Sequence, residues 1–565
     1  MQEEVQRTCQ MRRKAMSLKP QEVNPIPEET IRVAHAAFPK GNALMRLRDL
    51  LGPIYTDVQF TALFPHDGQP ALSPGRLALV SVLQFAEGLS DRQAADAVRN
   101  QIDWKYVLAL SLDDPGFDAS VLCEFRSRLI AGGAEMQLFE TLLILLREQG
   151  FLKARGKQRT DSTHVLSAVM TLNRLECVGE TLRHALNVLA TVAPDWLGAL
   201  VPVSWYEQYA RRFEEYRLPP KKEDRYALAE QIGADGLRLL QLIDSEKEWV
   251  WLREIPAVHI LRRVWIQQFY ASDPGSSVRW RVAEDLPSAP LLISSPYDPD
   301  ARFSKKRETS WVGYKVHLTE TCDDDLPHVI TNVETTNATT ADHSMTDVIH
   351  IRLAERDLLP SEHIVDVGYM TSDHLVSSQK HKIDLVGPIR EDSSWQTRAA
   401  AGFGVTCFTI DWETKQATCP LGKTSVIWYP THDNRGVPVI NIRFAHRDCV
   451  ACLQRAQCVS SSRSRALTIR DRAAYEAVAQ ARERQPTEVF KKAYARRAGI
   501  EGTLSQGVRL GDLRRSRYVG FPKTQLLHLL IATALNVMRI ASWLMQTPLA
   551  QTRTPPFVAL GKVVS

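Results

Sequence analysis

The sequence predicts a mixed α/β protein in which a helical region precedes a sheet-containing core that two insertions interrupt. Three observations lead there. Apolar residues recur at helical spacing over most of 31–149, and short β-patterned runs then return at 160–166, 314–320, 328–334, 363–367 and 383–387. Four grouped cysteines, Cys419, Cys449, Cys452 and Cys458, mark a separate segment before a helical carboxyl-terminal stretch. The chain has 565 residues, more than the ~250–300 at which one core stops growing, so several domains are expected.

The amino-terminal region, 1–150, is helical. Leu77, Val80, Leu83 and Phe85 run into Gly88, which makes a turn, and Ser90 or Asp91, which caps the next helix. This is a helix-turn-helix pattern, and it serves DNA contact or plain packing equally well. A basic connector, Lys153 to Arg159, leads into the strand Thr160–Leu166. From Met170 to Tyr270 the periodicity is helical, and a Ser- and Pro-rich stretch completes an insertion over 171–299. Residues 151–170 and 300–395 supply the core strands, with Asp323, Asp324 and Asp325 at a hairpin turn and a helix from Ser344 to Arg356. The cysteine insertion covers 396–470 and the carboxyl-terminal helices 471–550. Leu526–Met545 is apolar enough to suggest a membrane span, but His528, Asn536 and Arg539 interrupt it at helical spacing, which predicts a buried core helix.

Hydrophobic content of 44% and charged content of 24% fit a soluble globular chain. The formal net charge of +5 is modest, so any nucleic-acid surface must come from local clustering. Met1–Lys19 carries Glu3, Glu4, Arg7, Arg12, Arg13 and Lys14 without an apolar centre, so no secretory leader is read and a cytoplasmic protein without a membrane association is expected. In a reducing compartment the cysteine group reads as metal ligands before disulfides.

Three acidic residues carry the chemical argument. Asp366 follows the apolar run Ile364-Val365, where a carboxylate is costly unless paired or metal-bound; the plain alternative is a cap on the turn at Gly368. Asp161 lies in a strand beside Ser162, Thr163 and His164, where the same residues would also serve as a helix cap. Glu501 shares a helical face with Tyr494 and Arg497 in a predicted helix running through Phe490, Tyr494, Ile500 and Leu504, and an Arg497–Glu501 salt bridge is its plain alternative. Gly499 and Gly502 flank Glu501, which implies close approach by another backbone or a ligand.

The order Asp161, Asp366, Glu501 on strand, strand and helix resembles the DDE transposases of bacterial insertion sequences. Further runs are similar to that family: Asp298-Pro299-Asp300-Ala301-Arg302, Gly313-Tyr314-Lys315-Val316-His317, Asp366-Val367-Gly368-Tyr369, Arg514-Arg515-Ser516-Arg517-Tyr518-Val519-Gly520, and Phe125-Arg126-Ser127-Arg128-Leu129 in the helical region. The likeness covers nearly the whole chain. One departure is clear: the Tyr-x2-Arg-x3-Glu-x6-Lys signature has Val508 at the lysine position, and Arg509 comes one residue late. Arg509, Arg514 or Arg515 is then expected to replace that lysine.

The resemblance implies an RNase H-like catalytic core and a transposase that binds element ends and target double-stranded DNA. It implies two Mg²⁺ ions, or Mn²⁺ as a substitute, held by Asp161, Asp366 and Glu501. Such ions activate an oxygen nucleophile and neutralise the reacting phosphate. Tyr494, Arg497, Arg509, Arg514, Arg515, Arg517 and Lys315 are candidate DNA contacts. Trp311 or Tyr518 is a candidate for stacking on an end base. The basic runs Lys153–Arg159, Lys305–Arg307 and Arg514–Arg517 are either phosphate tracks or solvated faces. His164 and His317 are candidate proton carriers or ordinary strand histidines. Cys419, Cys449, Cys452 and Cys458 resemble a four-cysteine structural zinc site. A homodimer or larger synaptic complex follows from the need to hold two DNA ends. The competing readings are a domesticated, inactive DNA-binding relic and an RNase H-like nuclease that cuts without joining.

Overall fold

The computed structural model describes residues 16–22, 24–270, 278–392, 394–398 and 402–547. Most of the segment in which a leader was sought, 1–15, and the start of the Ser- and Pro-rich stretch, 271–277, lie outside the described residues.

The helical region contains α1 (Pro74–Ala86), α2 (Asp91–Asn100) and α3 (Gln137–Glu148). Gly88, at φ +68°, turns the chain between α1 and α2. The Ser90 side chain then accepts from the Gln93 backbone while Gln93 reaches back to Ser90, closing a capping box. Helix α1 is almost wholly buried. On α2 the exposed Arg99 is committed to Asp96 and to the carbonyls of Pro115 and Phe117.

A six-stranded mixed sheet forms the centre of the molecule. Strand β1 (Lys157–Leu166) lies in the middle. Strands β2 (Arg302–Lys306) and β4 (Ile330–Asn337) both pair with one edge of the long β3 (Thr309–Thr321), at different stretches of it, and the other edge of β3 runs antiparallel to β1. After helix α4 (Thr346–Glu355), β5 (Glu362–Ile364) joins β1 in parallel and β6 (Asp384–Val386) joins β5. Three antiparallel strands followed by two parallel ones, in the order β4-β3-β1-β5-β6, are compatible with an RNase H-like core. Strand β2 was not read from the sequence. Its lysines looked like part of a basic run, whereas Arg307, at φ +56°, turns a hairpin from β2 into β3. Gly313 lets β3 cross the end of β1, since a Cβ there would lie 2.2 Å from the Val165 carbonyl oxygen.

The carboxyl-terminal helices are α5 (Glu488–Ala495), α6 (Ala498–Gly511) and α7 (Phe521–Leu544). Helix α7 passes through one continuous apolar core that includes Leu77 and Leu83 of α1, Leu142 of α3, and Val316 and Val333 of the sheet. By length and composition α7 resembles a membrane span, yet 78% of its most apolar window is buried inside the protein. Its polar residues are bonded within that core. Asn536 donates to the Ile330 carbonyl and accepts from the Ile330 amide at 2.9 and 2.8 Å, and His528 Nδ1 lies 2.7 Å from Thr335 Oγ1. These contacts fasten the helix to β4.

The first insertion has a core of its own, built by the helices Arg174–Val192, Lys222–Ser245 and Pro256–Gln268. The cysteine segment holds a small third core under two little antiparallel sheets, with Phe408, Ile442 and Leu467 buried.

Candidate active site

Asp161 sits in the middle of β1, and the parallel register of β1 with β5 sets its neighbour. Lys157 lies opposite Glu362 and Arg159 opposite Ile364, so the same offset carried two residues further brings Asp161 level with Asp366, just past the end of β5. Glu501 lies in the first turn of α6.

Arg497 joins two of these carboxylates. Its Nη2 donates to Asp161 Oδ2 at 2.6 Å and its Nη1 to Glu501 Oε1 at 3.1 Å. The side chains of Asp161 and Arg497 are 12% and 19% exposed, and that of Glu501 is 65% exposed. Burial pushes the Asp161 carboxyl up to about 6; Arg497 and the Ser162 amide pull it back, and the charge of Asp366 adds to the rise. Asp366 and Glu501 both act on Tyr494 and Arg497, so the three acidic groups belong to one electrostatic neighbourhood. Asp366 also accepts from the Gly368 amide at 2.7 Å, so it caps the turn while contributing its charge here.

Two family models match the chain, a transposase domain (DUF772) over residues 32–128 and a transposase DDE domain over residues 418–541. Over these two stretches the chain is similar to DDE transposases. The second match contains Glu501, Arg497 and most of α7, whereas Asp161 and Asp366 precede it. No curated protein and no solved structure matches the chain.

The predicted single helix around Glu501 is broken. Helix α5 ends at Ala495 and α6 begins at Ala498. Arg159 makes the break, because its Nη1 donates to the Arg496 carbonyl at 2.6 Å and its guanidinium fills the space where a Gly499 Cβ would be. The approach expected at Gly499 is therefore that of a side chain, and at Gly502 none of the described residues comes within 4 Å of a built Cβ. Tyr494 stays on α5, stacked on Phe490, and still reaches the site electrostatically.

A buried cluster locks α6 to the sheet. Glu320 of β3 is fully buried and bonded by Arg159 Nε at 2.7 Å, Thr503 Oγ1 at 2.6 Å and Arg539 Nη1 at 2.8 Å. Two other basic members of the connector have partners within the protein: Lys153 binds Asp325, and Arg155 binds the carbonyls of His381 and Lys382.

Asp342 is a residue that the sequence reading passed over. Its Oδ1 accepts from Ser162 Oγ at 3.2 Å and from Lys315 Nζ at 3.3 Å, and a Cβ on Gly368 would meet both Asp366 Oδ1 and Asp342 Oδ2. Burial alone would raise its carboxyl, but Lys315 and His317 outweigh that and hold it below the ordinary value. The only sequence signal was its place between the third strand and the following helix. Lys315, expected at DNA, is instead held by Asp342 and the Thr340 carbonyl. His317 is pushed down to about 4 by burial and is bonded to the Tyr369 hydroxyl, so it is a neutral structural group.

Lys305, Lys306 and Arg307 are exposed, and Lys306 acts electrostatically on Asp161. Arg509, Arg514, Arg515 and Arg517 are exposed as well. The backbone of Arg514–Ser516 continues the sheet at Leu166, Arg514 Nε donates to Thr163 Oγ1, and Arg517 lies over the Phe85 ring. Trp311 is buried, with its Nε1 donating to the Tyr314 carbonyl, which removes it as a stacking platform. Tyr518 is half-buried under Arg126.

The donor set of Asp161, Asp366 and Glu501 suits a hard divalent cation, because it is all oxygen and includes a desolvated carboxylate whose charge needs a cation nearby. Among the described residues no three His, Cys, Asp or Glu side chains are already gathered to hold a metal. At the carboxylates, the Arg497 guanidinium stands between Asp161 and Glu501. In the cysteine segment Cys419, Cys449, Cys452 and Cys458 are free thiols; Cys419 Sγ accepts from the Lys423 amide and Cys449 Sγ from the Arg465 amide. The zinc site expected from the sequence has no support in this arrangement.

Proposed function

We propose that this transposase cuts DNA at the ends of its element and joins the freed 3′ ends to target DNA, using divalent metal ions held by Asp161, Asp366 and Glu501. The observation that carries the reading is one arginine joining Asp161 of a central strand to Glu501 of a carboxyl-terminal helix, with Asp366 level with Asp161 in the register of the neighbouring parallel strand. Two Mg²⁺ ions, with Mn²⁺ as a substitute, supply activation of the attacking oxygen and neutralisation of the leaving one.

The chain's own residues do the rest. Asp161, on a strand paired on both edges, gives the site its fixed point, and the Glu320 cluster sets α6, and with it Glu501, against that strand. Lys306 and Arg514, both exposed and both acting electrostatically on His164, offer positive charge to the DNA backbone, with Arg509, Arg515 and Arg517 extending it. Water attacks first and liberates a 3′-OH; that hydroxyl then attacks a phosphodiester of the target, forming a new P–O bond as the target strand's 3′ oxygen leaves as a hydroxyl, so phosphodiester bonds are exchanged without ATP. Two ends must be held together, which requires a dimer or a larger assembly, acting in the cytoplasm where the DNA lies.

The test is strand transfer by purified protein with Mg²⁺ on the element's own ends, wild type against Asp366→Asn. Joined products from wild type that vanish in the variant support the reading. Cutting without joining points to a nuclease, and binding without cutting points to an inactive relic.

A further inference from the structure

Arg497 is placed strangely for a residue whose only task is to hold DNA. Its guanidinium spans Asp161 and Glu501, the two acidic side chains that would have to close on a metal, while its Nε is buried with no hydrogen-bond partner among the described residues. A guanidinium offers up to five donors in a planar fork, which suits bridging two carboxylates or clasping one phosphate. Three further acidic groups or dipoles do not compete for it: Asp366 is occupied at Gly368, Asp342 at Lys315 and Ser162, and Glu320 at Arg159 and Arg539.

We propose that Arg497 is a built-in substitute cation, which bridges Asp161 and Glu501 in the resting transposase, must leave them before metal binds, and is drawn off by a DNA phosphate. The inference rests on the metal-binding reading of these carboxylates and adds to it an order of events. Without DNA the guanidinium and the metal compete for the same oxygens. With DNA the phosphodiester takes the guanidinium, so DNA and metal bind with positive coupling, and each tightens the other by the same factor. The device keeps the site poorly loaded with metal until an end is in place, which limits stray cutting. The buried Nε becomes a donor to the phosphate, giving the bidentate geometry that favours arginine at such sites.

The experiment measures Mn²⁺ binding, with no turnover, by electron paramagnetic resonance of free Mn²⁺. It uses the full chain as wild type, Arg497→Gln, Arg497→Lys and Asp366→Asn, with and without a duplex carrying the element end. Arg497→Gln is expected to bind Mn²⁺ about tenfold more tightly than wild type without DNA, a difference of ~1.4 kcal/mol. Arg497→Lys, which keeps the charge but cannot bridge, should also bind more tightly than wild type. The duplex should tighten Mn²⁺ binding in wild type and leave Arg497→Gln unchanged. Equal or weaker binding by Arg497→Gln, with Asp366→Asn still impaired, overturns the role of Arg497 and leaves the metal site standing. Wild-type affinity in Arg497→Lys shows that charge alone acts and overturns the bridging role. Mn²⁺ binding that ignores Asp366→Asn overturns the metal reading and this inference with it.

Discussion

Replacing Glu320 by glutamine tests whether the buried cluster, and not local helix propensity, holds α6 against the sheet. The carboxylate is fully buried; one oxygen accepts from Arg159 and the other from Thr503 and Arg539. Burial would raise its pKa, yet Arg539 and Arg159 outweigh that and keep it lowered, so it is a paired charge. An amide of the same shape loses that charge, keeps a single acceptor oxygen and turns an NH₂ towards an arginine. Breaking a buried ion pair from one side costs ~3–5 kcal/mol, because the partner charge stays behind unpaired. Arg159 is 6% exposed and cannot recover water, whereas Arg539, at 16%, recovers some, which places the cost near the lower bound of about 3 kcal/mol. That is roughly a hundredfold in the unfolding equilibrium at ~1.4 kcal/mol per decade. Urea unfolding followed by tryptophan fluorescence reads the loss, and amide hydrogen exchange should rise at Arg496–Gly499, where Arg159 now caps a carbonyl. Glu488→Gln, which breaks the exposed pair with Lys491, is the control and should change neither signal. A loss below ~1 kcal/mol with unchanged exchange would refute the reasoning, since the cluster would then contribute no more than an ordinary hydrogen bond.

Two glycines flanking Glu501 should respond oppositely to alanine. At Gly499 the new Cβ would sit 2.1 Å from Arg159 Nη1, so Gly499→Ala should destabilise by ~1–3 kcal/mol through overpacking and depress strand transfer. At Gly502, where space is open, Gly502→Ala should be neutral or stabilise by up to ~1 kcal/mol through helix propensity, as thermal melts would show. Acid should weaken the fold before the carboxylates titrate. Burial holds His317 and His350 down at about 4 and His528 at about 3, against 6.5 for a free histidine. Between those values the unfolded chain takes up protons that the native one refuses. Stability is therefore full above 6.5 and falls as pH drops towards 4, by ~1.4 kcal/mol per pH unit for each such histidine. Asp161, lifted to about 6, acts in the opposite sense as the pH falls below 6, as do the raised Asp235, Asp298 and Glu334 at lower pH, while His164, His184, His328 and His363, also lowered, add to the histidine side. Denaturant midpoints between pH 7 and 5 check the sign, and a rise on acidification would contradict it.

Much of the candidate site was legible because its signals are local. A carboxylate after Ile364-Val365, another within a polar-flanked strand and a third beside Tyr494 and Arg497 are each visible in a few adjacent residues. The character of α7 was readable for the same reason: His528 and Asn536 interrupt an apolar helix at the spacing of one face, and a polar group there has to find a partner. The strands of the sheet other than β2 announced themselves by their β-patterned runs, and the turn at Gly88 with its Ser90 cap by turn and cap chemistry.

Only the tertiary structure decided which charges are spent and which are free. Lys153, Arg155, Arg159 and Lys315 read in sequence like the exposed Lys306 and Arg514, because a basic residue carries no local mark of its partner; the partners lie 27 to more than 200 positions away. The break between α5 and α6 was invisible for the same reason, being made by a guanidinium arriving from β1. Asp342 joined the site only once the sheet had set Ser162 and Lys315 beside it. The sequence by itself thus pointed to the kinds of element and to three candidate acidic residues, since propensity, periodicity and desolvation cost act over short range. The Arg497–Glu501 pair, four residues apart on one helical face, was readable; its extension to Asp161, 336 positions away, was fixed by long-range packing, which brings together groups that the chain keeps far apart.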